Sequence, residues 1–196
     1  PTDIITSTQI DLALNEIFRP ATVASNGDFR QLMVPFFCVA ADMNAREAVV
    51  FRDGDLGEAI RASMSIPFVF KPLKKGDMLL YDGGVFNNFP WQYMIKDFAP
   101  DHIIGVKCTT DNKDVTENSN VIDQAMMFIM THTDYKLPEK GNILIDRAVD
   151  VGMLEFNKAE QIIAQGYEDT MARIDEILQT IPARRTEEQM AARRKA

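Results

Sequence analysis

The stretch LLYDGGVFNNFPW, residues 79–91, sets a single carboxylate, Asp82, between an apolar run and the glycine pair Gly83-Gly84. The residues MLLYD read as a β-strand whose last member is Asp82, and FPWQYMIKDF reads as a helix. Pro90 suits the first position of that helix, where a missing N–H costs nothing. In an open α/β sheet, ligands sit beyond the carboxyl ends of strands, so a carboxylate there is placed to act on one. Gly83 and Gly84 carry no Cβ, which permits a left-handed turn or the close approach of another group. Held there, Asp82 could take a proton from a hydroxyl within hydrogen-bond reach. The same residues also suit an ordinary Asp-Gly turn, with the aspartate bonded to its own backbone.

Working outward, STQIDLALNEIFRP gathers Ile10, Leu12, Leu14, Ile17 and Phe18 roughly on one helical face, with Pro20 expected to close the helix. ATVASNGDFRQLM reads as a loop, VPFFCVAADM as a strand buried on both faces, and EAVVFRDGD as a strand ending in a turn at Asp53-Gly54. Asp55 and Glu58 stand at capping-box spacing and start a helix through GEAIRASM, with Pro67 ending that region. FVFKPLKKGD reads as an irregular loop, HIIGVKCT as a buried strand, TDNKDVTENSN as a polar loop and VIDQAMMFIMTHTDY as an amphipathic helix. NILIDRAV is a late strand. Residues 157–181 form the longest expected helix, with Asn157 and Glu160 at capping-box spacing.

Strands alternate with helices, and three strands are continuous apolar runs, which argues for an α/β sheet covered on both faces. The expected organisation is one domain over residues 1–181 and a basic, frayed tail over 182–196. That tail holds Arg184, Arg185, Arg193, Arg194 and Lys195 against Glu187 and Glu188.

A chain of 196 residues with 46% hydrophobic content suits a packed core. Its net charge of −8 argues against a nucleic-acid partner and against simple adsorption to anionic lipid. Cys38 and Cys108 lie in apolar runs and are expected as reduced core residues, not a disulfide framework. No apolar run approaches a membrane-spanning length, and the opening PTDIITSTQIDLAL has no signal-peptide form. It also lacks a methionine, so an internal or processed beginning is expected.

The ordered blocks VPFFCVAADM, VVFRDGDLGEAIRASMSIPFVFKPL and LLYDGGVFNNFP together resemble the patatin-like phospholipases, serine lipid acyl hydrolases. The resemblance continues into GNILIDRAVDVGMLEFNKAEQIIAQGY and covers about residues 34–167. It implies a three-layer α/β/α sheet, here incomplete because the amino-terminal strands bearing the nucleophile elbow are absent. It further implies that Asp82 is the catalytic aspartate of a Ser–Asp dyad, with Gly83, Gly84, Asn87 and Asn88 supporting the motif. Asn87 and Asn88 would orient Asp82 or cap the following helix.

The serine half of the dyad is not found in this sequence. Its serines are Ser7, Ser25, Ser63, Ser65 and Ser119, and none lies in G-x-S-x-G. Ser63 and Ser65 read as helix-end residues. The only adjacent glycines are Gly83 and Gly84, so the family's glycine-rich oxyanion loop is absent too. Neither His102 nor His132 stands beside an activated serine. Met126, Met127 and Met130 read as a core stripe, with an acyl-chain site as the alternative. Asp53, Asp55 and TTDNKDVTEN lack calcium-loop spacing, and no metal or cofactor is expected.

The expected function is therefore part of a lipid acyl ester hydrolase, inactive alone because it carries the aspartate without the serine. The alternative is a non-catalytic patatin-like module that binds a partner. The expected partner is a lipid or acyl-ester substrate, with membrane-surface contact of the parent protein and self-association of this portion through exposed edges. The resemblance is compatible with a cytoplasmic or membrane-peripheral bacterial protein and does not fix the compartment.

Overall fold

A computed structural model describes residues 7–109, 121–138, 141–147, 151, 155–181 and 185–195. In chain order these form α1 (Thr8–Ala24), β1 (Cys38–Asp42), β2 (Glu47–Phe51), α2 (Leu56–Ser63), β3 (Leu73–Lys75), β4 (Met78–Asp82) and α3 (Trp91–Phe98). They continue with β5 (Ile104–Lys107), α4 (Val121–Ile129), β6 (Ile143–Asp146), α5 (Ala159–Met171), α6 (Ile174–Thr180) and α7 (Glu187–Lys195). The class is α/β, as the sequence indicated. The polar run TDNKDVTENSN lies outside the described residues. The chain divides into two compact units, residues 1–88 with 114–133, and 89–113 with 134–196.

The first unit is built on a four-stranded antiparallel sheet in the order β2-β1-β4-β3. β1 pairs with β4 so that Ala40 faces Asp82, Ala41 faces Tyr81 and Asp42 faces Leu80. Alternate side chains of a strand leave opposite faces. Ala40 and Leu80 accordingly enter a core with Phe29, Phe51, Leu56, Ala59 and Ala62. Val39 and Ala41, on the other face of β1, are also buried, as a strand covered on both sides requires. Part of that cover is the 3-10 turn Gly83–Val85, whose first residue lies against Val39.

Helix α2 begins where the sequence indicates. The Asp55 carboxylate accepts from the Glu58 N–H at 2.8 Å, and the orphan N–H of Leu56 is taken by Thr22 Oγ1 at 3.1 Å. Glu58 pairs with Lys75 rather than returning to the cap.

Several expectations need correction. Pro20 does not close α1, which runs four residues further, to Ala24. Proline removes its own N–H and crowds the preceding turn, but later residues can still bond back, and Thr22 Oγ1 donates to the Phe18 carbonyl at 3.2 Å. The segment expected as a loop before β1 contains Phe29, a fully buried residue fixed by its N–H to the Arg52 carbonyl. The loop before β4 contains β3, joined to β4 by a two-residue turn opened by Gly76 at φ +59°.

The second unit contains the parallel pair β5-β6. β5 is not buried on both faces. It alternates, with Gly105 and Lys107 inside and Val106 62% exposed. A side chain at Gly105 would collide with the Phe89 ring, which is why the small residue is the inward one. Lys107 reaches the Asp146 carboxylate at 3.1 Å and lies over the Tyr135 ring. The expected long carboxy-terminal helix is broken into α5 and α6 at Ala172-Arg173. Arg173 leaves helical geometry there, its guanidinium bonding the Leu144 carbonyl and Glu176. Asn157 lies in a 3-10 turn and does not cap α5. The expected stripe is open to solvent at Ile163, Tyr167, Met171 and Leu178. The basic tail includes helix α7.

Cys38 is half-buried, and burial pushes its thiol up to about 12. Cys108 is exposed, against expectation, because it follows β5 rather than lying within it. Among the described residues no helix is long and apolar enough to cross a membrane.

Two stability outcomes follow. A methyl group on Gly83 would lie 2.3 Å from the Val39 carbonyl oxygen, a backbone atom that cannot swing aside. Gly83→Ala is expected to lower stability by about 1–3 kcal/mol in a denaturant melt. Asp55→Ala, which removes the α2 cap, should cost about 1 kcal/mol in the same measurement.

Candidate functional site around Asp82

Asp82 is the last residue of β4, as the sequence reading placed it. Its backbone N–H donates to the Ser65 carbonyl at 2.9 Å, so the strand end is attached to the segment that follows α2. Its side chain is half-buried, and Oδ1 accepts the Gly84 N–H at 2.8 Å. Among the described residues Oδ2 takes no hydrogen bond. The local Asp-Gly turn is therefore real for one oxygen, while the other is left for a further donor.

The electrostatics follow from that geometry. Burial raises the Asp82 carboxyl above its ordinary range, and the Gly84 N–H, which favours the charged form, pulls it only part of the way back. A raised carboxylate is a stronger base than a solvated one, which is the direction a proton acceptor requires.

The turn after Asp82 is closed by main-chain bonds. The Gly83 carbonyl accepts from Phe86 N–H at 3.1 Å and from Asn87 N–H at 2.8 Å. Gly84 lies against the Asn88 side-chain oxygen, where a Cβ would come within 2.7 Å of it. The Asn88 N–H donates to Thr133 Oγ1 at 3.2 Å, and the Val85 carbonyl accepts the Thr131 N–H at 2.7 Å. The structure thus gathers Asp82, Gly83, Gly84, Asn87 and Asn88 in one turn. Helix α3 starts after Pro90, whose own side chain makes no cap bond.

Ser25 and Ser65 are buried and hydrogen-bonded within the fold. Ser63 ends α2. Ser65 is fully buried; its hydroxyl donates to the Arg61 carbonyl at 2.7 Å and accepts from the Arg61 guanidinium. Ser25 is buried and donates to the Thr22 carbonyl at 3.2 Å. Ser119 lies outside the described residues. His102 is exposed, with its Nδ1 at 2.8 Å from the Gly141 carbonyl. His132 lies beyond the end of α4, not within it.

The methionine stripe expected as core does not hold, since Met127 is 51% and the neighbouring Phe128 84% exposed. Among the described residues no cluster of three or more metal-binding side chains forms. Two shallow clefts border α1, one lined by Gly27, Asp28, Asp53 and Gly54, the other by Glu16, Arg19 and Val23. Asp82 lines neither. Sequence reading missed the part played by Arg61 and Ser65 in holding the strand end. The only hint was their spacing of four across the end of a helix, which lets a side chain return to the preceding turn.

The raised carboxyl sets a pH dependence. A carboxyl raised in the folded state favours the protonated form, so ionised Asp82 destabilises the fold above the folded value. That cost vanishes below the ordinary value of 3.8. Asp82→Asn, which keeps an acceptor for Gly84, should be at least as stable as the wild type at pH 7. Its advantage should shrink as the pH falls through the folded value, as followed by urea melts across pH 3–7.5.

Residues 14–95 match the family model described as patatin-like phospholipase, a match that begins earlier than residue 34 and ends before β5. An uncharacterized NTE family protein of Mycobacterium tuberculosis is 44% identical over 62 residues, covering 32% of this chain and 11% of that protein. A second such mycobacterial protein is 37% identical over 78 residues, covering 40% of this chain and 20% of that protein. Patatin-like phospholipase domain-containing protein 7 of Mus musculus is 32% identical over 91 residues, covering 45% of this chain and 6% of that protein. The chain thus spans no more than a fifth of the length of these relatives. The matched segment, from α1 through the Asp82 turn into α3, is thus similar over residues 14–95 to the patatin-like phospholipase family.

Proposed function

We propose that the protein to which this chain belongs hydrolyses acyl ester bonds of lipids, with Asp82 as its general base. The observation that carries this reading is the Asp82 carboxylate itself. It stands half-buried at the end of β4, raised by burial, with Oδ2 free of donors among the described residues and inside the family-matched segment.

The chemistry runs through a serine supplied from outside this chain. As the hydroxyl oxygen attacks the ester carbonyl, Asp82 Oδ2 takes its proton and backbone N–H groups receive the oxyanion charge. Collapse of the tetrahedral adduct breaks the ester bond, and the proton passes from Asp82 to the departing alcohol. Water then attacks the acyl-serine with Asp82 again accepting the proton, which releases the fatty acid and restores the serine. A lipid surface is the natural place to meet such a substrate, in the cytoplasm of a bacterium or at its membrane.

A second reading has one observation in its favour. The Gly84 N–H already holds Oδ1, as it would in a non-catalytic module where Asp82 only shapes the turn. In the parent protein, Asp82→Asn should lower kcat toward a nitrophenyl acyl ester by about 10²–10⁴-fold with KM little changed. This chain alone should show no turnover. Full activity of the Asn variant would remove Asp82 as the base, absence of turnover by the parent itself would favour the scaffold reading, and Asp82-dependent turnover by the isolated chain would defeat the division of the dyad.

A further inference from the structure

Arg61 is a charged residue in the interior of the first unit. It lies in the last turn of α2 and is 4% exposed. Taking a guanidinium out of water is costly unless its donors are met, and a lone ion pair rarely returns that cost. Its donors reach three different segments. Nε donates to Asp11 Oδ1 at 2.7 Å, Nη2 to the Lys71 carbonyl at 2.8 Å, and Nη1 to the Ser65 hydroxyl. The group also lies 5.7 Å from the centre of the Phe70 ring.

Ser65 is the link to the candidate site. Its hydroxyl is held from both sides by Arg61, accepting from the guanidinium and donating to the Arg61 carbonyl. Its own carbonyl takes the Asp82 N–H. On its other side the strand end is fixed by the β1 pairing and by Gly83 against Val39. Among the described residues Ser65 thus makes the backbone hydrogen bond that reaches the Asp82 N–H from outside the sheet, and Arg61 immobilises it.

We infer that Arg61, acting through Ser65, is a positioning residue that sets where the Asp82 carboxylate stands. The catalytic consequence rests on the reading of Asp82 as a general base, but the positional claim does not. An apolar residue of similar length could fill the space of the Arg61 stem and leave Ser65 free to turn. Only the guanidinium fork can hold Asp11, Ser65 and the Lys71 carbonyl at once.

The test separates the two claims. In this chain, the Asp82 side-chain carbon is titrated by ¹³C NMR in the wild type, Arg61→Lys, Arg61→Met and Ser65→Ala, with cooperative melting as the check of folding. Arg61→Met and Ser65→Ala should move the Asp82 titration toward the ordinary carboxylate range and shift the Gly84 amide resonance, while Arg61→Lys recovers part of the difference. In the parent protein the same variants should lower kcat about 10- to 100-fold with KM unchanged, as a misplaced catalytic group does.

A folded Arg61→Met whose Asp82 titration coincides with the wild type overturns the positional claim. Should Arg61→Met fail to fold, Ser65→Ala decides by the same criterion, because it keeps the buried charge and nearly all the packing. A shifted titration together with a fully active Asp82→Asn parent would leave the clamp standing and remove the reading of Asp82 as general base. An inactive Asp82→Asn parent with unshifted Arg61 and Ser65 variants would do the reverse.

Discussion

The antiparallel pairing of β4 on β1, in the register that sets Ala40 opposite Asp82, decides where everything else in the first unit can stand. A slip of one residue would exchange the two faces of β4. Leu80 would leave the core shared with Phe29 and Ala59, and Asp82 would point to the opposite side of the sheet. The register is held at both ends. At the far end the Asp42 carboxylate accepts the N–H groups of Asn44 and Leu79. At the near end Gly83 fits against the Val39 carbonyl in a space no other residue could occupy unchanged.

Seen from that pairing, the glycine pair after Asp82 has two separate explanations. Gly83 is required by the closeness of two backbones. Gly84 is required by the side-chain oxygens of Asp82 and Asn88, which crowd the place a Cβ would take. Neither has a positive φ. The pair is there for lack of bulk and not for unusual backbone freedom, and the Gly84 N–H is thereby brought up to the carboxylate.

What the sequence revealed, it revealed through local chemistry. The strand MLLYD, the Asp55 cap and the Pro90 helix start are each decided by residues within a few positions, and each stands where it was read. The errors lie where distant partners decide. Pro20 reads as a stop, yet α1 continues over it because the helix has α2 to pack against. Phe29 sits in a polar, turn-rich segment and becomes fully buried because Arg52 and Gly54 bring the chain back on itself. HIIGVKCT is apolar enough to suggest burial on both faces, but a lysine ion pair and a glycine take the inner positions. Asp82 was legible as a strand-end carboxylate. Its attachment through Ser65 to Arg61 was not, because a bond between a backbone N–H and a backbone carbonyl leaves no mark in residue identity.

The two thiols differ in a way that has a practical consequence. Cys38 is screened at the start of β1 and holds its proton up to about 12, whereas Cys108 is open to solvent past the end of β5. Only the thiolate reacts with electrophiles such as maleimides. At neutral pH a single equivalent of such a reagent will therefore tag the second compact unit and spare the first. That gives an untouched native chain a one-site fluorescent or spin reporter with no cysteine engineering.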